Sequence, residues 1–214
     1  VLGILAQEGQ RIIAHIAEDA SETWGINSRL QLAQATKYMQ QRINETFMME
    51  GVTMLDPTLV WIGPDVKLEN DIEILPMTIL YGQTRIGKAC KLGPNTRITN
   101  CKIGSGCTID ESVLIDSMLE DDVNVGPRAY LRPGTVMKQG SKAGTHVEIK
   151  KSTIGAHSKV PHLSYIGDAT LGEGVNIGAG TITCNYDGMK KYPTLIGDKV
   201  FVGSDVMLVA PVKV

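Results

Sequence analysis

The chain has 214 residues with 21 Lys and Arg against 23 Asp and Glu, a formal net charge of −2 that excludes a protein basic over its whole face for nucleic acid or membranes. With 43% hydrophobic and 21% charged residues it is globular rather than disordered, and no apolar run approaches the ~18 residues of a membrane span. Val1 to Ala6 has neither the basic start nor the cleavage-like end of a signal peptide, and Cys90, Cys101, Cys107 and Cys184 lack CxxC spacing, which suits a reducing cytoplasm.

Residues 1–50 read as helical. Arg11 to Ile16 suits a strand with a short helix ahead of it. Asn27 or Ser28 then caps a helix on which Leu32, Ala35, Met39, Ile43 and Phe47 recur along one face, and Gly51 is its stop signal.

From Ile62 the period changes to six. Ile62, Leu68, Ile74, Leu80, Ile86, Leu92 and Ile98 are followed, after a five-residue step, by Ile103, Ile109 and Ile115. Leu119, Val125, Leu131, Met137, Ala143 and Ile149 come next, then Ile154, Val160, Ile166, Leu171 and Ile177, and finally Ile196, Val202, Leu208 and Val214. Small or branched residues such as Cys90, Thr96, Val113, Ala129 and Val147 stand four positions after most of them. Aromatics are only 5% of the chain, so such a core must be filled by aliphatics. An α-helix cannot give this period. Hexapeptide repeats mark a parallel β-helix, each hexad supplying one short strand and one corner, with three hexads to a coil.

Counting round the coil places Ala143 on a first face, Ile149 on a second and Ile154 on a third, with Val160 and Ile177 back on the first. Arg132 and Lys150 then stack on face two, one coil apart. Residues 128–162 hold seven cations (Arg128, Arg132, Lys138, Lys142, Lys150, Lys151 and Lys159) against Glu148 alone, which points to a phosphorylated ligand between them. His162, Ala179 and Ser204 fall in one column on successive coils. Between Thr183 and Ile196 about seven extra residues, including Asn185-Tyr186-Asp187-Gly188, must leave a corner as a loop beside that column.

The segments Leu131–Gly134, Val147–Lys151, His162–Asp168, Asn176–Gly188 and Phe201–Asp205 closely resemble the bacterial bifunctional UDP-N-acetylglucosamine pyrophosphorylase/glucosamine-1-phosphate N-acetyltransferase family. The resemblance covers essentially the whole chain. It implies a left-handed β-helix over 56–214, cut short at its C-terminal side, after a helical linker over 28–55; residues 1–27 would be the end of the pyrophosphorylase domain. It also implies a cytoplasmic homotrimer with active sites between adjacent β-helices. The reaction implied is acetyl transfer from acetyl-CoA to glucosamine-1-phosphate, in the synthesis of UDP-N-acetylglucosamine for cell-wall polymers. By matching motif, His162 is the general base. Arg132, Lys150, Tyr165 and Asn176 bind the sugar phosphate, and Ala179, Asn185, Tyr186 and Ser204 contact acetyl-CoA. Asn27 matches a residue that helps hold Mg²⁺ and the uridine nucleotide in the other, uridylyltransferase, site, whose Gly-rich loop this chain lacks.

The residues suit that chemistry by themselves. Attack on a thioester needs a neutral amine, and imidazole, with an unperturbed pKa near ~6.5, can take the ammonium proton. Cys184 has no basic neighbour in sequence to make it an acyl carrier, so direct transfer is expected. Two other readings stay open. Another hexapeptide-repeat acyltransferase would share most of these features. A zinc β-helix of the carbonic anhydrase kind would use His146, His157 and His162, although the coil count separates the last two by a corner.

Overall fold

The computed structural model describes all 214 residues, which divide into two compact units, residues 1–39 and 40–214. In the first unit the short helix α1 (Leu2–Gln7) precedes an irregular stretch. The strand expected over 11–16 does not form: these residues carry no strand partner and are largely exposed, so their apolar side chains have no second strand on which to pack. Tyr38 donates its hydroxyl hydrogen bond to Asp19, and the Trp24 and Tyr38 rings lie 5.4 Å apart.

Helix α2 (Arg29–Met49) begins where Ser28 Oγ accepts from Gln31 N at 3.2 Å, while Gln31 Oε1 accepts from Asn27 N at 2.8 Å. Two side chains thereby satisfy amides that the first turn leaves free. It ends in a Schellman arrangement: Gly51 takes a φ of 95°, Val52 N donates to Phe47 O, and Gly51 N to Met48 O. The expected apolar stripe holds only at its C-terminal end. Ile43 and Phe47 pack against the coil core, but Leu32 and Met39 are exposed, and the buried residues of the helix are Gln40 and Asn44. These two amides belong there because they cap an open sheet edge. Gln40 Nε2 and Asn44 Nδ2 both donate to Val60 O, and Asn44 Nδ2 also to Pro57 O at 2.8 Å.

Residues 53–213 form a parallel β-helix of three sheets, each of nine two- to four-residue strands. Face one starts at Thr53–Met54, face two at Trp61–Ile62 and face three at Lys67–Leu68. Each strand pairs with the strand three later in sequence, so one coil is one rung, about 4.8 Å high. The hexad residues fill the interior: Ile74, Leu80, Leu92, Ile98, Leu131, Ile149 and Ile166 are fully buried. The residue two before each also points inward. Many of these are Ser or Thr, because there a hydroxyl can serve a backbone amide that the ladder misses. Ser158 Oγ accepts from Val175 N, and Ser152 Oγ accepts from Ala169 N, each at 2.9 Å.

One hexad position needs correction. Leu114, not Ile115, is buried, and Ser112, not Val113, accompanies it; Ile115 and Val113 face outward. Two consecutive five-residue steps, Ile109 to Leu114 and Leu114 to Leu119, replace the expected six and four, and the register Leu114 with Ile98 and Leu131 fixes this. The error cancels by Leu119, so the later count stands.

Candidate functional site

The coil register sets the site. Val160, Ile177 and Val202 lie on face one, with Asn176 paired to both Lys159 and Phe201. Two residues on, the corner toward face two carries Thr145, His162, Ala179 and Ser204 in one column. Thr145 is the register partner of His162, and Asp205 N donates to Ala179 O at 2.7 Å. His162 is exposed, held by its backbone while its imidazole is free to meet a ligand. The Ala179 N–H makes no hydrogen bond, unlike its neighbours Gly178 N and Gly180 N, which serve Val202 O and Leu163 O. Gly178 keeps the rungs close here: a Cβ would stand 2.4 Å from Gly203 C.

Beside this column, face two carries a charged cluster. Tyr165 is the register partner of Glu148 and Ile182, and Lys150 of Gly167. Gly167 has no side chain because the Tyr165 hydroxyl would be 2.3 Å from its Cβ, so the phenol lies across it. Asp168 then joins two residues: its Oδ2 accepts from Asn185 Nδ2 at 2.6 Å and faces Lys150 Nζ at 3.8 Å, with the Lys150 and Asp168 side chains only 18% and 16% exposed. Asn185, itself buried, opens the inserted loop over residues 185–193 and also approaches the Tyr165 hydroxyl at 3.5 Å. The loop closes on itself through the Tyr186–Lys191 bridge, Tyr192 N to Asn185 O, and Asp187 Oδ1 accepting from Met189 N and Lys190 N. Those amides hold the Asp187 carboxyl below its ordinary range. Tyr186, at the exposed rim, spends its hydroxyl on Gly188 O.

Arg132 and Lys150 do stand one rung apart, but neither waits for an anion to relieve the other. Arg132 Nη1 pairs with Glu148 Oε1 at 2.8 Å, which holds the guanidinium more firmly charged, and Lys150 faces Asp168. Arg128 pairs with Glu111 and Lys138 with Glu120. Glu111, Glu120 and Asp168 lie outside the basic sequence window and reach it across a rung, so a local sequence count overstated the excess. Lys142, Lys151 and Lys159 form no ion pair, and Lys150 gains a cationic neighbour in Lys191, a loop residue that the coil count could not place. Its ammonium sits beside that of Lys150, and that proximity holds Lys191 below the ordinary lysine range. Asp168 is the one carboxylate that both cations share.

His146, His157 and His162 do not gather: no group of three or more His, Cys, Asp or Glu is placed to hold a metal ion. Asn27 is exposed.

Fold and site together define a hexapeptide-repeat β-helix protein with an imidazole and a cation cluster beside one corner. No family model matches the chain. Over its whole length it is 53% identical to the bifunctional protein GlmU of Carboxydothermus hydrogenoformans and 50% identical to that of Syntrophomonas wolfei. The chain spans about half the length of these curated relatives, 48% and 47%. The resemblance read from the sequence is thus borne out: the chain is similar, from end to end, to half of the bifunctional GlmU proteins. A solved UDP-N-acetylglucosamine acyltransferase from Campylobacter jejuni is a distant likeness, 11% identical with a TM-score of 0.40 over 68% of this chain and 69% of that one.

Proposed function

We propose that the chain transfers an acetyl group from acetyl-CoA to the amine of glucosamine-1-phosphate. The observation that carries this is the His162–Ala179–Ser204 column standing beside Lys150, Lys191, Tyr165 and Asp168. Lys150 and Lys191 seat the phosphate dianion, with Arg132, Tyr165 and Asn176 fixing the sugar so that its amine meets His162. The imidazole takes the ammonium proton. The amine nitrogen bonds to the thioester carbonyl carbon and loses its second proton to solvent, the carbon–sulfur bond breaks, and the imidazolium gives its proton to the CoA thiolate. The unused Ala179 N–H supports the oxyanion between those steps. Ser204, Asn185 and Tyr186 border the path of the acetyl-CoA arm. Cys184 has no part in this direct transfer.

Three wider statements belong to the same proposal. The protein works as a homotrimer: face two presents Tyr81, Tyr130, Met207 and Val209 to solvent, large apolar side chains that a neighbouring coil would cover. It works in the cytoplasm, where acetyl-CoA is available; no helix is long and apolar enough to cross a membrane. The remainder of the relatives' length carries uridylyl transfer from UTP with Mg²⁺, residues 1–27 belonging to that portion and 28–55 linking it to the coil.

The test is thiol release from acetyl-CoA by the purified chain, with glucosamine-1-phosphate and with glucosamine. Release that depends on the phosphate ester supports the assignment. Release with neither, or equal release with both, would remove it.

A further inference from the structure

Five cations on this coil are paired with a carboxylate across a rung. Lys91 meets Glu73, Arg128 meets Glu111, Arg132 meets Glu148, Lys138 meets Glu120 and Lys150 meets Asp168. A column of three cations on face three, near the N-terminal end, has no such partner. Lys67, Arg85 and Lys102 are direct register partners on three successive rungs, all exposed and none in an ion pair. They border one side of a shallow trough of about 600 Å³. Gly87 and Gly104 line it, where the rungs lie so close that a Cβ would stand 2.8 Å from the backbone of the next rung. The two carboxylates on the other side are committed elsewhere: Glu69 accepts from Lys88 N at 3.0 Å, and Glu120 takes Lys138 Nζ and Gln139 N. Three like charges on successive rungs, whose backbones lie about 4.8 Å apart, repel, and no side chain forms an ion pair with them.

We infer that this trough binds a small oligophosphate, inorganic or nucleotide-borne, laid along the coil axis. A single phosphate reaches one or two of the cations. A chain of three phosphoryl groups meets all three, and its charges replace the carboxylates that every other paired cation on the coil has. The site lies on face three, whereas the acetyl-transfer cluster lies on face two and its corner, so the two are independent.

Calorimetric titration of the chain at low salt with orthophosphate, pyrophosphate and tripolyphosphate tests this. Affinity should rise along that series and fall with added salt. Each of Lys67→Ala, Arg85→Ala and Lys102→Ala should weaken tripolyphosphate roughly two- to fivefold, the triple variant should abolish it, and the circular dichroism melt should not move. A Lys150→Ala/Arg132→Ala variant, weakened at the phosphate seat on face two, should keep tripolyphosphate binding at this trough. Equal affinity for ATP and tripolyphosphate assigns the inorganic chain, and tighter ATP assigns a nucleotide. No binding, binding intact in the folded triple variant, or loss only in the Lys150→Ala/Arg132→Ala variant would each overturn the proposal.

Discussion

Lys150 stands between a carboxylate and an ammonium, and that position decides how it can be tested. Lys150→Ala removes the best-buried cation of the phosphate seat and should raise the KM for glucosamine-1-phosphate roughly ten- to a hundredfold, with little change in the KM for acetyl-CoA. Lys191→Ala should behave alike. Arg132→Ala should cost less, because its guanidinium is already paired with Glu148 and more exposed. Asp168 is a positioning residue: it steadies Lys150 and anchors Asn185 at the root of the loop. Asp168→Asn keeps the size but loses the charge. Steady-state kinetics should show both KM values rising, since sugar phosphate and loop are disturbed together, whereas a purely electrostatic role would move the sugar phosphate alone. These residues differ in how far the sequence revealed them. Arg132, Lys150 and the His162 column followed from counting by coils. Lys191 and Asp168 did not, because one lies on an insertion without register and the other sits at a corner where the repeat does not dictate a side chain.

At the scale of elements, the inserted loop and α2 carry most of what the period could not show. The loop tip is fastened by Asp187, whose carboxylate accepts two amides and is held below its ordinary range. A carboxyl depressed in the folded state stabilises above its unfolded pKa of ~3.9 and loses that contribution as pH falls through the lower folded value. The Met189 and Lys190 amide resonances should therefore hold steady from neutral pH down to about 4 and shift only below it. A transition centred near neutrality would show that Asp187 does not hold the turn. Helix α2 was legible as a helix from its cap and Gly51, but the burial of Gln40 and Asn44 was not. An apolar stripe is the ordinary expectation, and only the open carbonyls of the first coil explain two buried amides. Likewise, Ile115 was misplaced because the repeat admits five-residue steps that leave no local mark, and the aliphatic on the wrong face looks like the one on the right.

For the whole molecule, the parallel β-helix was the most legible feature, since a period of six sustained from Ile62 fits no other architecture in this chain. The same geometry gives it a thin core and leaves large apolar side chains exposed on face two. Association along that face should supply much of the stability, so light scattering should find a trimer at micromolar concentration, with the thermal midpoint rising with protein concentration. A stable folded monomer would contradict this.

The central claim is that the corner carrying His162 performs acetyl transfer. His162→Ala leaves the coil untouched, because the side chain is exposed and only its backbone serves the fold. The direct measurement is its rate of thiol release with saturating acetyl-CoA and glucosamine-1-phosphate against that of the parent chain. The account predicts a fall of ~10²–10⁴-fold with unchanged circular dichroism; a folded variant that keeps more than about half the parent rate would contradict it.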